Sequence, residues 1–144
     1  MLRHIAGLAE IVEDINEAIT FYCEVLGLKV EKRDGDDYAV LSAPGVLHFG
    51  IWNRSHAAEC VYGDRNQADR IPLGYTLEFE AENIKSAESQ VSDAGHEITQ
   101  HLREEPWGQK TFRMISPGGS ILGFAETPWA RRMTQSAETS ADEE

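Results

Sequence analysis

The sequence predicts an α+β fold made of two copies of a βαβββ module. The same order of predicted elements, one strand, one helix and then three strands, occurs twice along the chain. The segments Val12–Ala18 and Ala81–Ala87 align without a gap where the first strand of each copy leads into its helix. A chain of 144 residues is long enough for one such unit with its own hydrophobic core.

The first copy begins with a β-like run at Ile5–Val12, in which Glu10 breaks the apolar alternation and suggests a bulge. Asp14 is a good helix N-cap, with Glu17 at the capping-box position, and the helical spacing of apolar residues ends at Gly27. Turn residues separate the three strands predicted after the helix, which are Leu28–Lys32, Tyr38–Ser42 and Val46–Trp52.

The second copy follows a polar segment, 54–73, which we predict to be a connecting loop. Thr76–Ala81 alternates as a strand, and a weaker helix from Ile84 ends at Gly95. The remaining strands are His96–His101, Thr111–Ile115 and Ile121–Ala125, the last two joined by the turn residues 116–119. The prediction is therefore a single domain, 1–130, with modules at about 4–53 and 74–126. The acidic segment 131–144 is too polar to pack and is predicted to be disordered.

Composition and charge exclude several classes of protein. The formal net charge of −12 argues against binding to nucleic acid or to anionic membranes. No apolar run reaches the length of a membrane span, and the first residues do not form a signal peptide. The two cysteines have no sequence support for a disulfide, which fits reduced thiols in a cytoplasmic protein.

Two motifs in the second copy carry a resemblance to a known family. They are Glu105-Pro106-Trp107-Gly108 and the turn Ser116-Pro117-Gly118-Gly119. With the first-half stretches 12–14, 21–22 and 25–28, they resemble the vicinal-oxygen-chelate superfamily, which includes glyoxalase I, extradiol dioxygenases, fosfomycin-resistance enzymes and bleomycin-binding proteins. The motifs are most similar to those of the bleomycin-resistance branch. The resemblance covers about 4–126 and implies sheets that curl around one open cavity, and a homodimer.

The resemblance also implies where a metal would bind. In metal-dependent members, four ligands come from the first and fourth strands of the two modules. The matching positions here are Gly7, Phe49, Thr76 and Gly123, and none is a usual metal donor. A register slip of one residue would add only His48. We therefore expect neither a metal nor another cofactor.

The expected cavity has acidic and aromatic walls. Thr76, Glu78 and Glu80 share one face of their strand, opposite an apolar face that should pack on helices. Trp107 is a candidate anchor for a ligand because a Pro-Gly setting holds it on a loop that the bleomycin-binding relatives use at their drug groove. Four further aromatic residues either line the cavity or pack in the core: Phe49, Trp52, Tyr38 and Phe112.

These features favour non-catalytic binding of a small, cationic aromatic molecule by stacking and cation–π attraction. One alternative is a metal-dependent lyase or dioxygenase with displaced ligands. Another is a metal-free enzyme that uses Glu78 or Glu80 as a base. A third is a protein that acts only in protein association. The sequence shows no Ser-His-Asp or Cys-His arrangement, since Cys23 lies beside Tyr22 on a packing helix.

Overall fold

The computed structural model describes residues 2–117 and 119–129. The strands are β1 (Leu2–Val12), β2 (Lys29–Asp34), β3 (Tyr38–Ser42), β4 (Phe49–Asn53), β5 (Gly74–Ala81), β6 (Ile98–Glu104), β7 (Lys110–Ile115) and β8 (Ile121–Glu126). The helices are α1 (Ile15–Thr20), α2 (Arg54–Tyr62) and α3 (Ile84–Asp93). A π-helical turn, Phe21–Val25, continues α1, and a 3-10 helix, Arg65–Arg70, follows α2. The predicted α+β fold of two βαβββ modules is confirmed.

The eight strands form one curled, open sheet in the order β2-β3-β4-β1-β5-β8-β7-β6. In each module the first and fourth strands are parallel neighbours, β1 beside β4 and β5 beside β8. The modules join where β1 runs antiparallel to β5. One chain therefore supplies both halves of the concave face.

Helices α1 and α3 cover the convex face of the sheet. Asp14 caps α1 as predicted, and its side chain accepts hydrogen bonds from the backbone N–H groups of Asn16 and Glu17 at 2.9 and 3.1 Å. Each helix packs on a separate apolar cluster, one that includes Ile15 and another that includes Ile84. Burial of these clusters holds the helices to the sheet.

Helix α2 was not predicted, and the expectation of a loop at 54–73 is wrong. The Asn53 side chain caps the helix by accepting a hydrogen bond from the Ser55 N–H at 2.9 Å, and Gly63 ends it with a φ of 74°. The buried side of α2 carries small residues, Ala57 and Ala58, which give a weak apolar signal in sequence. Their size lets the helix lie close against the concave face, in a cluster with Ala9, Ile11 and Trp52.

Glu10 does not mark a bulge; the register shifts in β1 fall before it, between Leu2 and His4 and between Ile5 and Gly7. Its carboxylate accepts a short hydrogen bond from the Tyr22 hydroxyl, which lies 3.0 Å from the Tyr75 hydroxyl. Burial, together with the bonds to Glu10 and Tyr75, raises the pKa of Tyr22. A tyrosine on the π-helical turn therefore explains the acidic residue in β1.

Among the described residues, no helix is both long and apolar enough to cross a membrane. The segment 131–144, predicted to be a disordered tail, lies outside the described residues.

Candidate functional site

Glu78 stands at the centre of the concave face, with a glycine beside it on each neighbouring strand. Gly7 of β1 and Gly123 of β8 pair with it from either side. Neither glycine places a side chain next to the carboxylate, and Glu78 is only partly buried. Within the described part of the chain, the Glu78 carboxylate accepts no hydrogen bond. It is therefore a negative charge without a bonded partner, on a face that a ligand can approach.

Tyr38 and His48 close the first-module side of this face. The Tyr38 hydroxyl lies 2.6 Å from His48 Nε2, and the two rings are stacked with centroids 5.9 Å apart. A Cβ atom on Gly50 would lie 2.0 Å from the Tyr38 hydroxyl oxygen, and one on Gly7 would lie 2.6 Å from the His48 carbonyl oxygen. Burial and the nearby Glu78 charge raise the pKa of Tyr38. The hydroxyl is thus a neutral group that fills the space beside Gly50.

Arg113 closes the opposite side. It lies on β7, beside Gly123 of β8, and its guanidinium carbon lies 5.7 Å from the centroid of the Trp52 ring on β4. The guanidinium also donates a short hydrogen bond to Gln100 and lies 3.9 Å from the buried Glu105 carboxylate. Arg113 on β7 therefore faces Trp52 on β4 across the concave side of the curled sheet.

Helix α2 contributes a third wall. The Trp52 indole N–H donates to His56 Nδ1 at 2.9 Å, and His56 Nε2 lies 3.9 Å from Cys60 Sγ. The sequence was predicted to contain no Cys-His arrangement, and the contact between His56 and Cys60 shows that this prediction is wrong. Residues four apart meet only on a helix, and this segment was predicted to be a loop. The capping residues Asn53 and Gly63 were the sequence signal that could have revealed the pair.

Two of the predicted aromatic residues lie away from this face. Phe49 packs under α1, where its ring centroid is 5.2 Å from that of Tyr22, so its expected place in the cavity is wrong. Strand β4 begins at Phe49, and pairing with Leu8 turns Phe49 to the convex side and Gly50 to the concave side. Phe112 lies in the core under α3, fully buried and stacked on Phe124 at 4.5 Å.

The other predicted residues are spread over the concave face and its rim. Thr76 lies opposite Ala9 and is buried. Glu80 is 1% exposed; one oxygen accepts a hydrogen bond from the Thr127 N–H at 2.6 Å, and the other has no partner within 2–117 and 119–129. Burial raises the pKa of Glu80. Trp107 is 59% exposed in the β6–β7 turn, where its indole N–H donates to Gln109 at 3.0 Å.

The residues at the family's metal-ligand positions do not fit a metal. With Gly50 in the place assigned to Phe49, three of the four positions are glycines, Gly7, Gly50 and Gly123, and the fourth is Thr76. A divalent ion needs several imidazole, thiolate or carboxylate donors that converge on one point. Across the described ranges, no three His, Cys, Asp or Glu side chains are placed to hold one.

Solved structures share this fold. A glyoxalase/bleomycin resistance protein/dioxygenase superfamily member from Vibrio splendidus 12B01 is 21% identical, with a TM-score of 0.62 over 88% of this chain and 100% of that chain. The Mn(II)-bound glyoxalase from Novosphingobium aromaticivorans is 19% identical, with a TM-score of 0.59 over 87% of this chain and 39% of that chain. A methylmalonyl-CoA epimerase from Streptomyces coelicolor, in complex with 2-nitronate-propionyl-CoA, is 12% identical, with a TM-score of 0.59 over 89% of this chain and 99% of that chain. At these identities the likeness concerns the fold.

Comparison with curated proteins finds no match. The family profile described as a glyoxalase-like domain matches residues 6–128, which is most of the chain. The match spans both modules and the α2 segment between them. It does not single out the bleomycin-resistance branch. The chain belongs to the glyoxalase-like domain family, within the vicinal-oxygen-chelate superfamily that its motifs resemble.

Proposed function

We propose that this protein binds a small organic cation on its concave face, without a divalent metal. The observation that carries the proposal is Glu78, a partly buried carboxylate between Gly7 and Gly123 that accepts no hydrogen bond within the described residues. A carboxylate that accepts no hydrogen bond is free to accept one from a charged donor. A ligand with an ammonium or guanidinium group would supply that donor.

The charges around Glu78 favour a cation over an anion. Arg113 is a basic side chain on this face, and it already bonds to Gln100 and faces Glu105. Glu105 also accepts a hydrogen bond from Arg103 at 2.9 Å. The two arginines are thus engaged at the β6–β7 side, whereas Glu78 is not. The net charge of −12 adds a long-range attraction for cations.

The aromatic part of the ligand would stack on Trp107. Trp52 is 7% exposed and packs in the cluster with α2, which leaves little of its surface for a ligand. Trp107 is 59% exposed, so the face of its indole is available. An exposed indole stacks with planar or cationic groups at low entropic cost.

The absence of a fitting donor set supports the metal-free part of the proposal. The superfamily chemistry that depends on a metal needs an ion to polarise oxygen atoms of the substrate. Here Tyr38 occupies the space beside Gly50, and Thr76 is the one oxygen donor at the four positions. Metal-free acid–base catalysis would require a base that reaches a substrate. Glu80 is 1% exposed, so that base would be Glu78.

The binding experiment uses a bleomycin-type glycopeptide, a cationic aromatic probe, followed by tryptophan emission and calorimetry. Trp107→Ala should weaken binding by about 1–3 kcal/mol, the usual range for a stacked anchor. Glu78→Gln should weaken it and flatten its salt dependence, because screening acts on the charge that is removed. Trp129→Phe and the exposed Glu97→Gln are the matched controls.

Full affinity in Glu78→Gln would overturn the cation proposal. Full affinity in Trp107→Ala would overturn the assignment of the anchor. Elemental analysis of the purified protein should find no stoichiometric zinc, nickel, manganese or iron. A stoichiometric metal would restore the metal-dependent lyase or dioxygenase as the function.

A further inference from the structure

Three side chains on the concave face form a linked series that the proposed binding function does not use. Trp52 lies on β4, and His56 and Cys60 lie one turn apart on α2. The indole N–H of Trp52 donates to His56 Nδ1 at 2.9 Å, and His56 Nε2 lies 3.9 Å from Cys60 Sγ. A cysteine is nucleophilic as the thiolate, and a hydrogen-bond donor directed at its sulfur stabilises that form.

The Trp52 bond fixes which nitrogen of His56 carries the proton. An indole N–H can only donate, so Nδ1 must be the unprotonated acceptor. In the neutral ring the proton then lies on Nε2, the nitrogen that faces Cys60. His56 therefore presents an N–H to the sulfur, and that bond favours a thiolate over a thiol. Trp52 acts as a positioning residue in this series.

Positive charges near Cys60 act in the same direction. Burial raises the pKa of the Cys60 thiol, but the hydrogen bond from His56 and the charges of Arg113 and Arg103 outweigh it, and the net shift is downward. Arg103 lies on β6 and Arg113 on β7. The hydrogen bond with Cys60 raises the pKa of His56, and Asp37 also raises it, whereas Arg65 lowers it. The Trp52 N–H at Nδ1 opposes protonation of that nitrogen and so favours the neutral ring.

We propose that Cys60 is a nucleophilic thiolate that forms covalent adducts with soft electrophiles, of the α,β-unsaturated carbonyl class, on the concave face. The sulfur forms a C–S bond to the β-carbon while the C=C π electrons move toward the carbonyl oxygen. The resulting enolate takes a proton from water at its α-carbon. Thiol and alkene are consumed in equal amounts, and the addition needs no oxidant or reductant.

Cys60 can meet such a molecule because its side chain is only partly buried. It packs at the border of the cluster formed by Ala9, Ile11 and Trp52, where the concave face meets α2. The other cysteine, Cys23, lies on the convex side in the cluster under α1 and is also only partly buried. It therefore serves as a reference thiol of similar exposure in the same protein.

The test uses N-ethylmaleimide, an uncharged probe, with intact-mass and peptide mass spectrometry from pH 5.5 to 9. Glutathione is the free-thiol reference, and Cys23→Ser isolates Cys60. At pH 6.5 Cys60 should react faster than glutathione, because a lowered pKa raises the fraction of the thiol that is present as thiolate at this pH. Its pH profile should reach half-maximum below that of glutathione. Cys60→Ser should leave only the slower reaction of Cys23.

His56→Phe keeps a ring but removes both nitrogens, so it should slow the reaction of Cys60 and move its pH profile upward. If circular dichroism shows that this variant is unfolded, Arg113→Met provides the same comparison. The proposal fails if the Cys60 profile of the wild-type protein coincides with that of glutathione, or if a folded His56→Phe keeps the wild-type profile. Because the probe carries no charge, its reaction does not depend on Glu78. A failure of cation binding would leave this result unchanged.

Discussion

Gly50 and Gly123 occupy equivalent positions in the two modules, but their surroundings differ. A Cβ atom on Gly50 would lie 2.0 Å from the Tyr38 hydroxyl oxygen, whereas one on Gly123 would lie 3.6 Å from Glu78 Cγ. The first distance requires Tyr38 to move, and Tyr38 is held by its bond to His48. The second is an ordinary van der Waals contact.

We expect Gly50→Ala to lower the free energy of unfolding by about 1–3 kcal/mol, the usual effect of overpacking. Gly123→Ala is the matched control and should change it by less than about 0.5 kcal/mol. Both values come from urea denaturation followed by circular dichroism. Equal effects of the two substitutions would show that Tyr38 does not fill the space beside Gly50.

Glu80 gives the protein a specific dependence of stability on pH. Burial raises the pKa of its carboxyl above the ordinary value of 4.5. The folded state therefore keeps the proton to higher pH than the unfolded state does. The stability that this group contributes is complete below 4.5 and is lost as the pH rises through the folded-state pKa.

Glu80→Gln replaces the charged form with a neutral one, so it should raise the melting temperature at pH 7 relative to wild type and leave it unchanged near pH 4. Thermal unfolding across this range measures the difference, and the exposed Glu97→Gln controls for loss of a surface charge. If Glu80→Gln stabilises the protein equally at both pH values, the folded state does not hold a proton on Glu80 more tightly than the unfolded state does.

At the scale of single residues, the sequence predicts which face of the sheet a side chain lies on only where the strand register is known. The alternation in β5 separates Glu78 from Phe79, and Phe79 does pack in the cluster under α3. The same reasoning failed for Phe49 because a turn precedes β4, and the residue at which the strand begins determines its alternation. That starting point depends on pairing with β1 and β3, which the local sequence does not show.

At the scale of elements, the repeat was predictable and α2 was not. The outer helices and most of the strands bury an apolar face, which gives them a periodic signal in the sequence. Helix α2 buries only two alanines and Val61, so its apolar face is short and its polar residues dominate the pattern. The His56–Cys60 pair was missed for that reason, because residues four apart in sequence lie on the same face only when the segment is helical.

The caps of α2 and α3 provide a matched test of what α2 contributes. Asn53 accepts a hydrogen bond from the Ser55 N–H at 2.9 Å, and Asn83 accepts one from the Ser86 N–H at 3.1 Å. Asn53→Ala and Asn83→Ala should each lower the free energy of unfolding by about 1 kcal/mol. Asn53→Ala alone should also slow maleimide addition at Cys60, because fraying of α2 separates His56 from the sulfur. Equal rates in the two variants would count against this coupling.

At the scale of the whole molecule, the antiparallel pairing of β1 with β5 places both modules of the concave face in one chain. The expected homodimer is therefore not needed to complete the site. We expect each chain to bind one glycopeptide. The affinity should be the same whether the protein is dimeric or has been diluted until it is monomeric. Calorimetry at several protein concentrations, with sedimentation to give the oligomeric state, tests this. An affinity that falls with dissociation would place part of the site on a second chain.

The unequal glycines also have a consequence for protein engineering. The first module has no space for a new metal ligand. A side chain at Gly50 would clash with Tyr38, and one at Gly7 would clash with His48. The second-module half is open: a histidine in place of Gly123 would stand beside Glu78, with Thr76 two residues away on the same strand face. Reconstruction should therefore begin with Gly123→His. The two halves therefore differ in the space beside their equivalent glycines, which Tyr38 fills in the first half and which is open in the second.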